Sequence, residues 1–237
     1  MGVSPIEEVY ERRSSRRWTH RLYRFLEPPL PLILNPREPN DYPLGRWSLY
    51  LGGAGRVVQG CVNVDLIATP GVDVVADAER LPFPSAIFQR VECDAVLEHV
   101  HSAETVMREM VRVLAPGGYL HVVTPFCHPF HEAPRDYRRF SLDGLKQLAN
   151  GDLEVASEGW RTGPTATMLV FILEYVKLWL PWRPWRVAVH IGLGWLLFPF
   201  RYLDLLFLRS PGAGRLGNHC YVWFRKPCTR AGGSLPR

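Results

Sequence analysis

The sequence predicts an α/β fold: a mostly parallel sheet with helices on both faces, plus an apolar helical insertion before the last strand. Three observations predict it. Short β-branched runs recur through the middle of the chain, each closing on a glycine or an acid. A stretch with helical spacing, Ala103 to Leu114, separates two of these runs. Long apolar segments then precede a final strand-like run, His219 to Phe224. Short strands alternating with helical patterns are the signature of a parallel sheet.

Taken in order, residues 1–46 form an N-terminal zone. A helix is expected near Pro5 to Leu26, because proline fits the first turn and Pro28-Pro29 stops the helix past its end. Pro28 to Pro43 reads as a proline-rich linker. Residues 47–152 form the α/β core. Strands are expected at Ser48 to Leu51, Val62 to Val64 with Asp65 closing the strand, Val72 to Val75, Val91 to Cys93 and Tyr119 to Thr124. In the helix between the last two, Val106, Met110, Val111, Val113 and Leu114 share a face, and Pro116-Gly117-Gly118 ends it. Ser141 suits an N-cap for a further helix. Residues 153–237 hold the apolar helical segment, at Thr165 to Leu180 and Trp185 to Leu208, and the final strand. In this zone the longest run lacking Asp, Glu, Lys or Arg is Val187 to Phe200, and Pro199 interrupts it. That is short of the roughly 18–20 residues of a membrane span. Trp179, Trp182, Trp185 and Trp195 alongside Arg183, Arg186 and Arg201 suit a headgroup interface instead.

Composition narrows the function classes. The chain has 237 residues, 47% of them hydrophobic, enough for one α/β domain with an appendage and too apolar for a disordered chain. The net charge of +5 is modest, and its excess is partly local, in Arg12, Arg13, Arg16, Arg17, Arg21 and Arg24. This cluster reads either as an attractor of phosphates or as a solvated helix face balanced by Glu7, Glu8 and Glu11. Cys61, Cys93, Cys127, Cys220 and Cys228 form no CxxC pair, which argues against a disulfide scaffold and a zinc cage. The expectations are no metal, a reducing cytosolic compartment and no signal peptide.

Four motifs carry chemistry. Gly52-Gly53-Ala54-Gly55 follows the first strand, where small residues let a backbone approach a ligand. Asp65 closes the second strand, the position from which a carboxylate accepts ribose hydroxyls, although an Asp there also serves as a turn residue. Asp77-Ala78 precedes Leu81-Pro82-Phe83, placing an acid and an apolar wall where an adenine would lie; a lone loop Asp is also a turn former. Leu97-Glu98-His99 and Arg112-Val113-Leu114-Ala115-Pro116-Gly117-Gly118 follow. The four in this order are far more specific than any one.

Over Leu49 to Phe140 the chain resembles the class I S-adenosylmethionine-dependent methyltransferases, in the branch with LPF, LEH and RVLxPGG motifs. The resemblance implies a seven-stranded Rossmann-like sheet with S-adenosylmethionine at the carboxyl ends of strands one to four. It assigns Gly52, Gly53 and Gly55 to the methionine side, Asp65 to the ribose, Asp77 and Ala78 to the adenine, and Asp94 and Ala95 to the loop beneath the cofactor. Glu98 and His99 would face the substrate. Three departures stand out. Tyr50 occupies the usual acid position before the glycine loop, Ala54 replaces its second glycine, and Phe88-Gln89 replaces the usual Phe-Asp. Only Arg56 to Cys61 separate the loop from the second strand, so the first helix is expected to be short or absent.

Methyl transfer mainly requires positioning, with a base where the nucleophile carries a proton. His131 is the first candidate base and His99 the second; each also reads as a structural histidine. His128, Arg135, Tyr137 and Arg139 join Glu98 as candidate acceptor contacts. The expected acceptor is a small molecule or a lipid- or glycan-linked one, met in the cytoplasm or at the inner face of a membrane. The apolar C-terminal segments would serve a membrane surface or a homodimer. The alternative is a non-catalytic module that retains the fold. The missing G-x-G-x-x-G argues against a nicotinamide enzyme, and the lack of an Asn-Pro-Pro-Tyr motif against a nucleic-acid partner.

Overall fold

The computed structural model describes residues 26, 28, 34–39, 42–43, 45–53, 57–131, 135–210 and 212–228. The N-terminal arginine cluster, the helix expected there up to its last residue, and Gly55 lie outside these residues. The elements run β1 (Ser48–Leu51), β2 (Val62–Asp65), β3 (Val74–Val75), β4 (Phe88–Asp94), α1 (Ala103–Val113), β5 (Leu114–Pro125), α2 (Leu142–Leu148) and β6 (Glu154–Trp160). Then come α3 (Pro164–Leu178), α4 (Arg183–Leu197), a 3-10 turn (Phe198–Leu203), α5 (Asp204–Phe207), a second 3-10 turn (Ala213–Leu216) and β7 (His219–Arg225).

The seven strands are ordered β3-β2-β1-β4-β5-β7-β6. Pairings from β3 through β5 are parallel. β7 runs antiparallel to β5, since Gly118 bonds Lys226 while Phe126 bonds Asn218. The mostly parallel sheet and the apolar helices before the last strand are those the sequence predicts.

The chain divides into two compact units. The core unit comprises Asn40–Val123, Leu142–Glu158 and Val222–Arg237. In it β1 is buried along its whole length, as a central parallel strand of continuous apolar character should be. Helix α1 starts on Ser102, whose hydroxyl accepts the Thr105 N–H at 3.2 Å, and buries Ala103, Val106, Met107, Met110 and Val113. The stretch between β1 and β2 contains no helix over residues 57–61. Asn63 pins it: Oδ1 accepts the Val58 N–H, and Nδ2 donates to the Cys61 carbonyl at 3.0 Å and to Asp73 Oδ2 at 3.1 Å.

The boundaries of β5 depart from expectation. The strand begins at Leu114, not Tyr119, because Leu114 already pairs with Phe88. Pairing then slips, and resumes at Arg90 with Tyr119. Pro116, Gly117 and Gly118 thus lie in a bulge, with Gly117 at φ +77°. β3 and β4 start at Val74 and Phe88 where Val72 and Val91 were expected. Strand β6 was not expected at all. Its first residues, Glu154 to Ser157, show no apolar–polar alternation, and the first three are exposed.

The helical unit comprises Met1–Pro39, Thr124–Ser141 and Gly159–Tyr221. Its helix α3 follows Gly163, which offers no side-chain cap. Asp204 supplies one from 38 residues onward, accepting the Ala166 N–H at 2.8 Å and the Thr165 N–H at 2.7 Å. Thr167 Oγ1 donates to the Leu216 carbonyl at 2.6 Å. Among the described residues, no helix is long and apolar enough to cross a membrane.

Candidate active site

At the carboxyl ends of β1, β2 and β4 the core unit builds a cradle of backbone. Gly52 leaves β1 at φ +72°, and its N–H donates to the Val64 carbonyl at 2.9 Å. A Cβ there would lie 2.2 Å from Val96 Cγ2, so only glycine lets the β1 loop meet the loop after β4. Ala95 opens that second loop at φ +55°, a left-handed conformation uncommon for a residue with a side chain. Its N–H donates to the Val123 carbonyl at 3.0 Å, which holds the strained turn in place.

Acids flank the cradle. Asp65, buried at the tip of β2, receives the Ile67 N–H on Oδ1 at 3.3 Å. Asp94 closes β4. Asp77 is exposed beyond β3, and its carboxylate accepts the Glu79 N–H at 2.9 Å, a turn of the Asx kind, with Ala78 inside it. Leu81 is buried and Phe83 stands edge-on to Phe88 at 5.0 Å. Leu81 thus belongs to the core, while Pro82 is exposed and Phe83 half-buried. Arg112 holds the segment, donating to the Phe83 carbonyl at 2.7 Å and the Leu81 carbonyl at 3.0 Å. Glu109 accepts the Leu81 N–H at 2.8 Å and pairs with Arg112. Thus the LPF and RVL motifs, distant in sequence, form one clamp. Glu98 is fully buried, with His99 Nε2 3.7 Å from its carboxylate. Burial, and then the Glu98 and Asp94 charges, push the neighbouring Cys93 thiol well above its usual range.

The helical unit gathers the other candidates on the segment after β5. Asp136 organises them. Its Oδ2 accepts the His131 N–H at 2.9 Å and lies 3.3 Å from His131 Nδ1. Arg139 binds both oxygens of Asp136 and also donates to the Pro129 carbonyl at 3.1 Å. The Arg139 guanidinium holds the Asp136 carboxyl down at about 2. Arg139 is thus the clamp of this loop. His128 stacks its ring edge against His131 and His219, at 5.0 Å and 5.3 Å. Burial lowers the His128 pKa; burial, then the His128 and Arg161 charges, lower that of His219 to about 3. These two rings are neutral at physiological pH. Arg135 and Tyr137 are exposed. Asp136 and His219 were not among the expected site residues. The Asp136–Arg139 spacing could have flagged the first; nothing local in the sequence flags the second.

Residues 55–122 match the family model described as a methyltransferase domain. Over that segment the chain is similar to methyltransferase domains. The chain is similar to the demethylmenaquinone methyltransferase of Renibacterium salmoninarum, 30% identical over 122 residues, covering 51% of this chain and 47% of the relative. It is also similar to the ubiquinone/menaquinone biosynthesis C-methyltransferase UbiE of Pseudomonas savastanoi, 37% identical over 96 residues, with 35% and 37% covered. The chain therefore spans about half the length, or less, of these two curated relatives. Among solved structures, a Galdieria sulphuraria protein provisionally assigned as a sarcosine dimethylglycine methyltransferase aligns at TM-score 0.50 and 15% identity, covering 96% of this chain and 92% of that one. A Bacillus halodurans protein provisionally assigned as a methyltransferase aligns at TM-score 0.50 and 19% identity, with 79% and 95% covered. At those identities the two structures bear on the methyltransferase fold.

Proposed function

We propose that the chain transfers a methyl group from S-adenosylmethionine to a small-molecule or lipid- or glycan-linked acceptor, at the cytoplasmic face of a membrane. The observation that carries the reading is the cradle: a buried Asp65 beside two loops held in left-handed turns at Gly52 and Ala95. Gly52 and Gly53 would receive the methionine part, Asp65 the ribose hydroxyls, and Asp77 with Ala78 the adenine. Asp94 and Ala95 would lie beneath. When bound, S-adenosylmethionine supplies a methyl carbon on a sulfonium, with a neutral leaving group. The protein's share is then orientation and, for a protonated nucleophile, a base. His131 is the first choice, since Asp136 sits 3.3 Å from its Nδ1 and fixes the ring for proton uptake at the other nitrogen. His99 beside Glu98 is the second. Glu98, His128, Arg135, Tyr137 and Arg139 remain the proposed acceptor side, Arg139 by holding the loop. The named activities of the curated relatives support methylation of a small acceptor.

Calorimetric titration of the full chain with S-adenosylhomocysteine tests the reading. Micromolar binding is expected, and no heat at millimolar ligand would sink it. One observation favours a second reading, a binding module without transfer: residues 57–61 form a turn where a helix would bring its N-terminus to the ligand. That reading predicts cofactor binding with no methyl transfer in a labelled-cofactor screen of small and lipid-linked acceptors.

A further inference from the structure

The outer surface of the helical unit has no part in methyl transfer as described. Helix α3 is apolar on two sides. Ala166, Leu169 and Leu173 are buried. Met168, Phe171, Ile172, Tyr175 and Leu178 recur at three- and four-residue spacing and are 37–77% exposed. A surface helix normally turns one apolar stripe inward and a polar face outward. Here the outward face is a second apolar stripe. It continues through the connection to α4 and the first turn of that helix, where Trp179, Trp182 and Trp185 are 71%, 67% and 59% exposed. It extends again through Phe200, Leu206 and Phe207 near α5. Contiguous exposure of this kind marks an interaction surface.

Charge decides what covers it. Arg183 and Arg186 alternate with Trp182 and Trp185 at the start of α4, and all four are exposed. Arg209 and Arg215 are exposed further along. The acids of this stretch are occupied: Asp204 is fully buried on the N-terminus of α3, and Glu174 holds Lys177 at 2.7 Å. The face is therefore apolar with a cationic rim. Indoles beside guanidiniums settle at the headgroup level of a bilayer, and the positive rim selects an anionic one. A second copy fits less well, since an isologous contact sets like charges against each other. Spanning does not fit. At 15 residues each, α3 and α4 measure about 22 Å, against a hydrocarbon core of about 30 Å.

We infer that α3, the Trp-Arg turn and the segment through α5 form an interfacial anchor for an anionic membrane. The indoles enter the acyl boundary and Arg183 and Arg186 meet lipid phosphates. This deepens the reading of a membrane-presented acceptor and rests on it for its purpose, but it stands or falls by lipid binding alone. The test mixes the full chain with phosphatidylcholine vesicles and with vesicles containing about 30% phosphatidylglycerol, followed by flotation and tryptophan emission. The chain should float with the anionic vesicles, with blue-shifted emission, and stay behind with the neutral ones. Joint Trp179→Ala, Trp182→Ala and Trp185→Ala changes should lower partitioning about tenfold or more. Arg183→Glu with Arg186→Glu, which alters exposed side chains only, should remove the preference for anionic lipid. Both variants should keep the wild-type circular dichroism and S-adenosylhomocysteine titration. A chain that stays soluble beside anionic vesicles overturns the anchor. So does a triple variant that floats as well as wild type, or a dimer, abolished by the triple change, in a chain that ignores lipid. If flotation succeeds and the titration fails, the anchor stands and the methyltransferase reading falls.

Discussion

In the core unit, β1 bonds to β2 on one side and β4 on the other, with registers running through Leu49, Tyr50 and Leu51. Backbone pairing does most of the ordering there, and side chains mainly fill space. In the helical unit, the described order rests on side chains that reach across the sequence. Asp204 caps α3, Arg139 and Asp136 tie the loop after β5, and Arg161 pairs with Glu38 at 2.8 Å. The first kind of order tolerates loss of one side chain, because neighbouring backbone bonds persist. The second kind concentrates stability in a few polar contacts, each with a buried carboxylate left exposed to desolvation if its partner goes. Mutations should therefore separate the two units by mechanism: binding lost in one, folding lost in the other.

The largest effect is expected in the core. Asp65→Ala removes the one buried carboxylate at the β2 tip and should weaken S-adenosylhomocysteine binding by about 100-fold, roughly 3 kcal/mol for two lost charge-assisted bonds. The Tm should change little. An affinity within a few-fold of wild type would remove Asp65 from the cofactor site.

Next comes the helical unit. Asp136→Asn should destabilise by about 2 kcal/mol in urea melts at neutral pH, because it discharges the acid that Arg139 grips. Its pH dependence has a fixed sign. The carboxyl is depressed to about 2 in the folded chain, against about 3.9 unfolded. Its contribution is therefore complete above the unfolded value and is lost as pH falls through 4 toward 2. The gap between wild type and variant should narrow across that window, and a gap that persists at pH 2 would contradict the ion pair.

These two sites also show what was legible in the sequence. The bounds of β1 and β2 could be read directly, since each is a short apolar run closed by a glycine or an acid. So could α1, because the spacing of Val106, Met110 and Val113 lies within one local window. β6 was not legible: a strand with exposed Glu154, Val155 and Ala156 has no alternation to show. The Asp204 cap was not legible either, since its partners are 38 and 39 residues away and an Asp inside an apolar run reads as mere punctuation. In the site, Asp65 and Gly52 were visible as strand-end residues. Asp136 was not singled out, because its meaning depends on a fold-dependent turn that brings it under His131.

A smaller effect tests whether the core cradle is as backbone-driven as it looks. Gly52→Ala meets Val96 Cγ2 at 2.2 Å and must also hold φ +72°. The expected loss is about 1.5 kcal/mol, with cofactor binding reduced in step. Adding Val96→Ala removes the clash but not the dihedral, so about 1 kcal/mol of the loss should remain. Full rescue by the double change would mean that the left-handed turn carries no strain.

The smallest effect probes the clamp that joins two motifs inside the core. Arg112→Met keeps the aliphatic stem of the side chain but drops its bonds to the Leu81 and Phe83 carbonyls and to Glu109. Arg112 is partly exposed and those carbonyls can turn to water, so the expected cost is only about 1 kcal/mol. Glu109 is held below the usual carboxylate range chiefly by Arg112, so the variant should also raise its pKa. If the core is ordered by backbone pairing, amide exchange in β1 and β4 should be unchanged while exchange at Leu81 accelerates. Faster exchange in the strands as well would show that the core, too, leans on a side-chain clamp.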